Sequence, residues 1–243
     1  MMGTALPPSQ LRLPDLPLRA VLLDLDGTLL DTAGDFVHAI NAMRAEFSLL
    51  PLRQAQILRH VGKGSEHLVQ GVLGEDWPAQ RVALCWQQGL AMYQRHYHAC
   101  NGHFSRMFPE VEAGLQQMRA LGLRLGCVTN KPLAFAQPLL QQFGLAPYLQ
   151  LVYGGDSWPR KKPDPQPLLQ ACAELTLPAA QVLMLGDSGN DAAAARAAGC
   201  PVWLLPYGYN HGESVQQTDS DGIVNTLLEA AQAIAVHQQC FND

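Results

Sequence analysis

The sequence predicts an α/β protein, a doubly wound parallel sheet into which a helical cap is inserted. Five short apolar runs recur along the chain and alternate with helix-like segments, a pattern typical of parallel strands joined by crossover helices. Charged residues make up 15% of the 243 residues, well below the ~25% of an average soluble protein, which favours strands that are buried on both faces. Nearly a hundred residues after the first run contain no convincing strand, which indicates an insertion.

The elements of the core follow from the apolar runs in order. Residues 19–24 form the first run, which ends in an acid and is followed by Gly27, as expected of a buried strand that leads into a turn. The other predicted strands are 123–128, 150–153, 181–185 and 201–205, and the predicted helices are 110–121, 133–143, 165–175 and 190–198. Together they predict a Rossmann-like catalytic core formed by residues 19–32 and 103–243.

The interruption predicts a helical cap over residues 33–102. Helix-like periodicity occurs at 33–49, 52–60, 65–73 and 78–99, and Thr32 is the expected N-cap of the first helix. Because α/β proteins place their sites at the carboxyl ends of strands, an insertion after the first strand is expected to cover the active site as a lid. Residues 1–18, which hold Pro7, Pro8, Pro14 and Pro17, are interpreted as an N-terminal extension without an assigned role.

Charge and hydropathy exclude several classes of function. The net charge of −5 and the pI near 5.9 argue against a general binder of nucleic acid or anionic membranes. No apolar run approaches the ~18 residues of a membrane span, and the first residues lack the features of a signal peptide. The sequence therefore predicts a soluble, cytoplasmic protein with neither nucleic acid nor membrane as partner, and it predicts no particular oligomeric state.

Two acidic pairs follow predicted strands. Asp24 and Asp26 lie two positions apart at the end of the first strand, so their side chains begin on the same face. Asp187 and Asp191 follow the strand at 181–185, and three or four carboxylates converge if the two strands are neighbours. Close carboxylates are costly unless they share a cation or a proton. A hard divalent ion such as Mg²⁺ suits them, whereas an acid/base pair and an ordinary turn with a helix cap remain alternatives.

The other two strand ends carry groups of opposite character. Thr129 and Asn130 follow the strand at 123–128, and Lys162 with Pro163 follows the strand at 150–153. Hydroxyl, amide and ammonium donors surround anions such as phosphate. Each pair alone is weak evidence for a binding site. Because each pair directly follows a predicted strand, and the pairs occur in this order, ordinary turns are a poor explanation.

In this order the segments Asp24-Leu-Asp26-Gly27-Thr28, Thr129-Asn130, Lys162-Pro163 and Gly186-Asp187-Ser188-Gly-Asn-Asp191 resemble the four motifs of the haloacid dehalogenase-like hydrolase superfamily. The resemblance implies that Asp24 is a nucleophile that forms an aspartyl-phosphate. It implies that Asp26 is the general acid for the leaving group and then the base for water.

The same resemblance implies the remaining roles. Thr129, Asn130 and Lys162 bind the phosphoryl oxygens. Asp24, Asp187 and the backbone carbonyl of Asp26 hold Mg²⁺. Asp191 supports the metal-bound waters or Lys162, and Thr28 helps to orient Asp26.

The acid at position 26 narrows the reaction. A halide leaves without a proton and the dehalogenases characteristically lack this acid, whereas an alkoxide needs protonation, so Asp26 indicates hydrolysis of a phosphate monoester. The segments Thr129-Asn130-Lys131-Pro132 and 206–213 are similar to those of the phosphoglycolate phosphatase family, which implies 2-phosphoglycolate as substrate. Another small or sugar phosphate, or phosphoryl transfer as in β-phosphoglucomutase, remains an alternative. A non-enzymatic module is disfavoured because none of the motif residues is missing.

Two features of the predicted cap concern specificity and metals. The loop at 60–64 resembles the family's cap loop, so Lys63 is a candidate contact for the substrate carboxylate, with an exposed loop lysine as the plain alternative. The residues His96, His98, Cys100 and His103 match no familiar zinc spacing and are interpreted as the polar end of a helix that enters a loop at Asn101-Gly102.

Overall fold

The computed structural model describes residues 11–241, so Pro7 and Pro8 of the predicted extension lie outside the described residues. The strands of this part of the chain are β1 (Ala20–Leu23), β2 (Leu30–Asp31), β3 (Arg106–Met107), β4 (Arg124–Val128), β5 (Leu151–Tyr153), β6 (Val182–Gly186), β7 (Val202–Leu204) and β8 (Gly222–Ile223). The α-helices are α1 (Ala33–Glu46), α2 (Gln54–Leu58), α3 (Ser65–Gly74), α4 (Ala79–Cys100), α5 (Val111–Ala120), α6 (Leu133–Gln142), α7 (Gln166–Glu174), α8 (Gly189–Ala198) and α9 (Leu227–Gln239).

Strand β1 is central in a parallel sheet of six strands, with the order β5-β4-β1-β6-β7-β8. Ala20 lies opposite Arg124 of β4 on one side and opposite Val182 of β6 on the other. Strands β4 and β5 lie on one side of β1, and β6 lies on the other. Because these strands are parallel, their carboxyl ends lie together at one edge of the sheet. This edge carries the site.

Helices cover both faces of the sheet because alternate residues of each strand point to opposite sides. Val21 and Leu23 of β1 belong to the core beneath α5, α6 and α9. Ala20 and Leu22 belong to the core beneath α7 and α8. Strands buried on both faces explain the shortage of charged residues, and the predicted fold class is confirmed.

The predicted core elements and the observed ones agree closely in position, but several elements were not predicted. The two-residue strands β2 and β3 pair antiparallel in a stretch where no strand was expected. Strand β8 and helix α9, which follow the last predicted strand, were also missed. Thr32 occupies the predicted N-cap position of α1, although its side chain makes no capping hydrogen bond there.

Helices α1 to α4 form the cap and have an apolar core of their own. Ile40 and Met43 of α1 pack with Val69 of α3 and Tyr93 of α4, all of them buried. The predicted division of the chain at residues 33 and 102 stays a prediction, although the four helices begin and end within it.

The cap joins the core through two neighbouring segments. Strands β2 and β3 pair Leu30 with Met107, so the outgoing and returning chains run side by side. Asp35, at the start of α1, is completely buried and accepts hydrogen bonds from the backbone N–H groups of Gly102 and Phe104, at 2.7 and 2.8 Å. One carboxylate therefore fixes the returning chain against the helix that starts the cap.

None of the helices between residues 11 and 241 has the length and apolar character needed to cross a lipid bilayer.

Candidate active site

Asp24 and Asp26 extend β1 toward the edge of the sheet that faces the cap. The backbone N–H of Asp24 donates to the Leu185 carbonyl at 3.0 Å, so the residue continues the ladder with β6. Asp24 is only 9% exposed. The two carboxylates then separate: that of Asp24 faces Asp187 and Asp191, whereas that of Asp26 faces Lys131.

Asp187 directly follows β6, the strand paired with β1, and it is enclosed by backbone. A Cβ atom on Gly27 would lie 2.3 Å from Asp187 Oδ2, and one on Gly208 would lie 2.2 Å from the same oxygen. Gly27 has a φ of +87°, so both its conformation and the space around it favour glycine. The Tyr209 N–H donates to Asp187 Oδ2 at 2.6 Å and the Thr28 hydroxyl donates to Oδ1 at 3.3 Å.

Lys162 lies between two of the carboxylates. Its Nζ is 2.7 Å from Asp191 Oδ1 and 3.0 Å from Asp24 Oδ1, and it donates to the Val128 carbonyl at 2.6 Å. The side chain is 2% exposed. A buried ammonium in this position offsets part of the repulsion between the carboxylates.

The pKa values of these groups reflect burial and crowding. Burial raises the pKa of Asp24 to about 6; Lys162 opposes this change, while Asp191 and Asp26 add to it. Burial, followed by the charges of Asp191 and Asp24, raises the pKa of Asp187 well above its usual range. Burial lowers the pKa of Lys162, but Asp191 and Asp24 outweigh it, so the net change is upward. The cluster has an excess of negative charge.

The acidic cluster fits a hard divalent cation. Asp24, Asp187 and Asp191 each offer an oxygen, and these oxygens all lie within 4.8 Å of one another. Asp24 Oδ1 is buried without a hydrogen-bond partner among the described residues, although Lys162 lies near it. Carboxylate oxygens are the ligands that such cations prefer. The predicted ligands Asp24 and Asp187 therefore lie close to each other, and Asp191 is the third carboxylate of the cluster. That the Asp26 carbonyl is a metal ligand stays a prediction.

The role of Thr28 in orienting Asp26 stays a prediction, and the Thr28 hydroxyl donates to Asp187 in this structure. Asp26 is instead held by Thr32, whose hydroxyl donates to Oδ1 at 2.6 Å, and by Lys131, whose Nζ lies 2.8 Å from the same oxygen. The Thr32 hydroxyl is available for this contact because it makes no capping hydrogen bond to α1.

Thr129 and Asn130 follow β4 at the same edge. Both are buried and both line a cavity between core and cap. The Asn130 amide donates to the Lys162 carbonyl at 2.7 Å and to the Gly62 carbonyl of the cap at 2.8 Å. Asn130 therefore ties a core loop to a cap loop, which leaves Thr129 as the freer of the two to meet a ligand.

The cavity has a volume of about 30 Å³ and lies against Asp24 and Asp26. Its other walls come from both parts of the molecule: Phe36, Val61, Gly62, Gly64, Ser65, Leu68, Tyr93, Thr129, Asn130, Lys131, Pro132 and Phe135. A cavity of this size holds one or two water molecules.

Sequence reasoning missed Lys131, and its candidate Lys63 does not line the cavity. Lys131 is buried at the cavity, and its position directly after the Thr129-Asn130 turn was the one signal that could have pointed to it. Lys63 is exposed and its neighbours Gly62 and Gly64 line the cavity while its own side chain does not, so its predicted contact with substrate stays a prediction.

The histidine-rich segment forms the end of α4, as expected, since the helix ends at Cys100. His96 Nε2 lies 2.5 Å from Glu46 Oε1, and Arg95 also pairs with Glu46. The side chain of His96 thus has a protein partner on the cap surface.

Comparison with known proteins gives consistent results. A family model described as haloacid dehalogenase-like hydrolase matches residues 18–199. A phosphoglycolate phosphatase of Thiobacillus denitrificans is 45% identical over 89% of this chain and 95% of its own. A plasmid-encoded phosphoglycolate phosphatase of Cupriavidus necator is 46% identical over 90% and 94%, respectively. The crystal structure of a protein from Haemophilus somnus, described as a predicted phosphoglycolate phosphatase, has a TM-score of 0.82 with 29% identity, covering 88% of this chain and 97% of its own.

Proposed function

This chain belongs to the haloacid dehalogenase-like hydrolases, within them to the phosphoglycolate phosphatase family, and on that premise we propose that it hydrolyses 2-phosphoglycolate to glycolate and phosphate with the help of Mg²⁺. That the protein is a phosphatase enzyme follows from its family and relatives. One observation supports the finer proposal: Asp24, Asp26 and Thr129 line a single small cavity whose other walls include residues of the cap.

Asp24 is the proposed nucleophile. Its carboxylate attacks phosphorus in line, the bond from phosphorus to the ester oxygen breaks, and an aspartyl-phosphate forms. Lys162, 3.0 Å away, keeps Asp24 in place and offsets its charge. Asp24 and Asp187, with Asp191 beside them, would hold Mg²⁺, which would supply positive charge for the phosphoryl oxygens.

Asp26 is the proposed general acid and base. It gives a proton to the departing alkoxide and later takes one from the water that hydrolyses the aspartyl-phosphate. Thr32 and Lys131 fix its carboxylate from one side, so the same group keeps its place in both half-reactions. Positioning of this kind supplies much of the rate enhancement in phosphoryl transfer.

Thr129 and Lys162 are the proposed donors to the transferring phosphoryl group. Thr129 follows β4 and lines the cavity beside Asp24. Asn130 positions the loops around the phosphoryl group and does not donate to it, because its amide already donates to the Gly62 and Lys162 carbonyls. Closure of the cap then excludes bulk water from the aspartyl-phosphate until the leaving group departs.

Phosphate release from a panel of monoesters tests the proposal. The panel contains 2-phosphoglycolate, β-glucose 1-phosphate and an amino-sugar phosphate, each with Mg²⁺ and with a chelator. We expect 2-phosphoglycolate to be the preferred substrate and the chelator to abolish hydrolysis. Asp24→Asn is the matched control, because it keeps the size of the side chain and removes the nucleophile. Conversion of β-glucose 1-phosphate to its 6-phosphate isomer, or activity that survives in Asp24→Asn, would contradict the proposal.

A further inference from the structure

Lys131 is a buried cation at the catalytic cavity. Its side chain is 3% exposed. Its Nζ lies 2.8 and 3.1 Å from the two oxygens of Asp26. The same atom lies 4.5 Å from the ring centre of Phe36 and 4.6 Å from that of Tyr97. Aromatic faces attract a cation without neutralising it, so Asp26 is the one carboxylate that these contacts place against the ammonium.

Lys131 is the one cationic side chain among the residues that line this cavity. The other charged groups of the lining are the carboxylates of Asp24 and Asp26, which repel any anionic part of a substrate. Lys162 is not part of this lining, and Asp191, Asp24 and the Val128 carbonyl hold it at its proposed place beside the phosphoryl group. A second anionic group on the substrate therefore needs Lys131.

The chemistry of the proposed substrate places that anionic group close to Asp26. In 2-phosphoglycolate the carboxylate carbon is two covalent bonds from the ester oxygen that Asp26 must protonate. A cation that contacts Asp26 is consequently next to the substrate carboxylate when the ester oxygen meets Asp26. An ammonium has three N–H donors, so it can serve both carboxylates at once.

We propose that Lys131 binds the carboxylate of the substrate and thereby selects phosphate monoesters that carry an anionic group one carbon from the ester oxygen. The inference rests on the proposed function and deepens it. It replaces Lys63 as the specificity residue, since Lys63 is exposed and contributes nothing to the cavity lining. The burial of Lys131 strengthens its pull on a carboxylate, because little water screens the pair.

Lys131→Met tests the proposal, with Lys63→Met as the matched comparison. Methionine keeps the aliphatic stem between the aromatic rings and removes the charge. For each protein kcat/KM is measured on 2-phosphoglycolate and on ethyl phosphate, which has the same ester oxygen but no carboxylate. Any effect of Lys131 on Asp26 alters both substrates alike, so the ratio of the two values reports the carboxylate contact alone.

We expect the wild-type preference for 2-phosphoglycolate to fall roughly 10- to 100-fold in Lys131→Met, the range for loss of a hydrogen bond to a charged group. We expect Lys63→Met to retain the preference. An unchanged ratio in Lys131→Met, or a loss in Lys63→Met instead, overturns the inference while the proposed function stands. A wild-type protein that does not hydrolyse 2-phosphoglycolate overturns the proposed function and this inference with it.

A binding measurement covers the case in which Lys131→Met does not fold. Inhibition by 3-phosphonopropionate, the carbon analogue of 2-phosphoglycolate, is compared with inhibition by propylphosphonate in the wild type and in Lys63→Met. Tighter inhibition by the carboxylated compound in both proteins supports Lys131, the cation that still lines the cavity. Equal inhibition by the two compounds, or a preference that disappears in Lys63→Met, overturns it.

Discussion

Replacement of Asp24 by asparagine should stabilise the metal-free protein, and the gain should depend on pH. Burial raises the pKa of Asp24 from 3.8 to about 6. The folded protein therefore binds more protons at this site than the unfolded chain does between those two pH values. Stability is lost as pH rises through that window, because the buried carboxylate must give up its proton. Asp24→Asn removes the charge, keeps the shape and escapes this loss.

The magnitude follows from the shift in pKa. At about 1.4 kcal/mol per pKa unit, the change from 3.8 to about 6 corresponds to about 3 kcal/mol above pH 6. For a chain of this length, that free energy raises the melting temperature by roughly 6–12 °C. The difference should shrink as the pH falls toward 4 and vanish near about pH 3, where Asp24 is protonated in both the folded and the unfolded state.

Thermal unfolding in a chelating buffer, followed by circular dichroism from pH 4 to 7.5, measures the effect. Asp15→Asn is the control, since that carboxyl is exposed. Millimolar Mg²⁺ should then stabilise the wild type more than Asp24→Asn, because the cation binds the ionised carboxylate and not the amide. A variant that is less stable than wild type at pH 7.5, or a gain of equal size at pH 4 and 7.5, would refute the reasoning.

Three further substitutions test separate parts of the site. Asp26→Asn should lower kcat on 2-phosphoglycolate by about 100- to 10,000-fold but affect p-nitrophenyl phosphate much less, since nitrophenolate leaves without a proton; phosphate release shows whether the losses differ. Lys162→Met should lower the free energy of unfolding by about 3–5 kcal/mol, because two buried carboxylates lose their cation, and urea unfolding at pH 7 that shows no change would contradict this. Gly27→Ala should cost on the order of 100-fold in kcat, since its Cβ displaces Asp187, and wild-type kcat would refute the close approach.

The sequence predicted the core because its signals were local. Buried parallel strands such as 181–185 are short apolar runs, and the turns behind them carry the acidic and basic residues of the site. Lys162 and Asp187 could be named since the ends of parallel strands must meet at one edge. The two-residue strands β2 and β3 carry no such signal, because so short a segment has no periodicity to detect.

The contacts that crossed between distant segments could not be predicted. Lys131 is one of 16 lysine and arginine residues, and only the packing of α1 and α4 against its stem shows that it is buried. Thr32 has the residue type of a helix cap, but its hydroxyl donates to the Asp26 carboxylate and makes no capping hydrogen bond. Local propensity gives way where a charged acceptor is within reach.

The pairing of Leu30 with Met107 has a consequence for how such molecules vary. The two ends of the inserted segment lie side by side where β2 pairs with β3. The distance that the insertion must span on the core is therefore the same whatever its length. The register of the six strands is set elsewhere, between β1 and its neighbours. Loops with adjacent ends tolerate large insertions. The cap's share of the cavity wall can therefore be exchanged as a module, while Lys131 and the apparatus for phosphoryl transfer stay in place on the core.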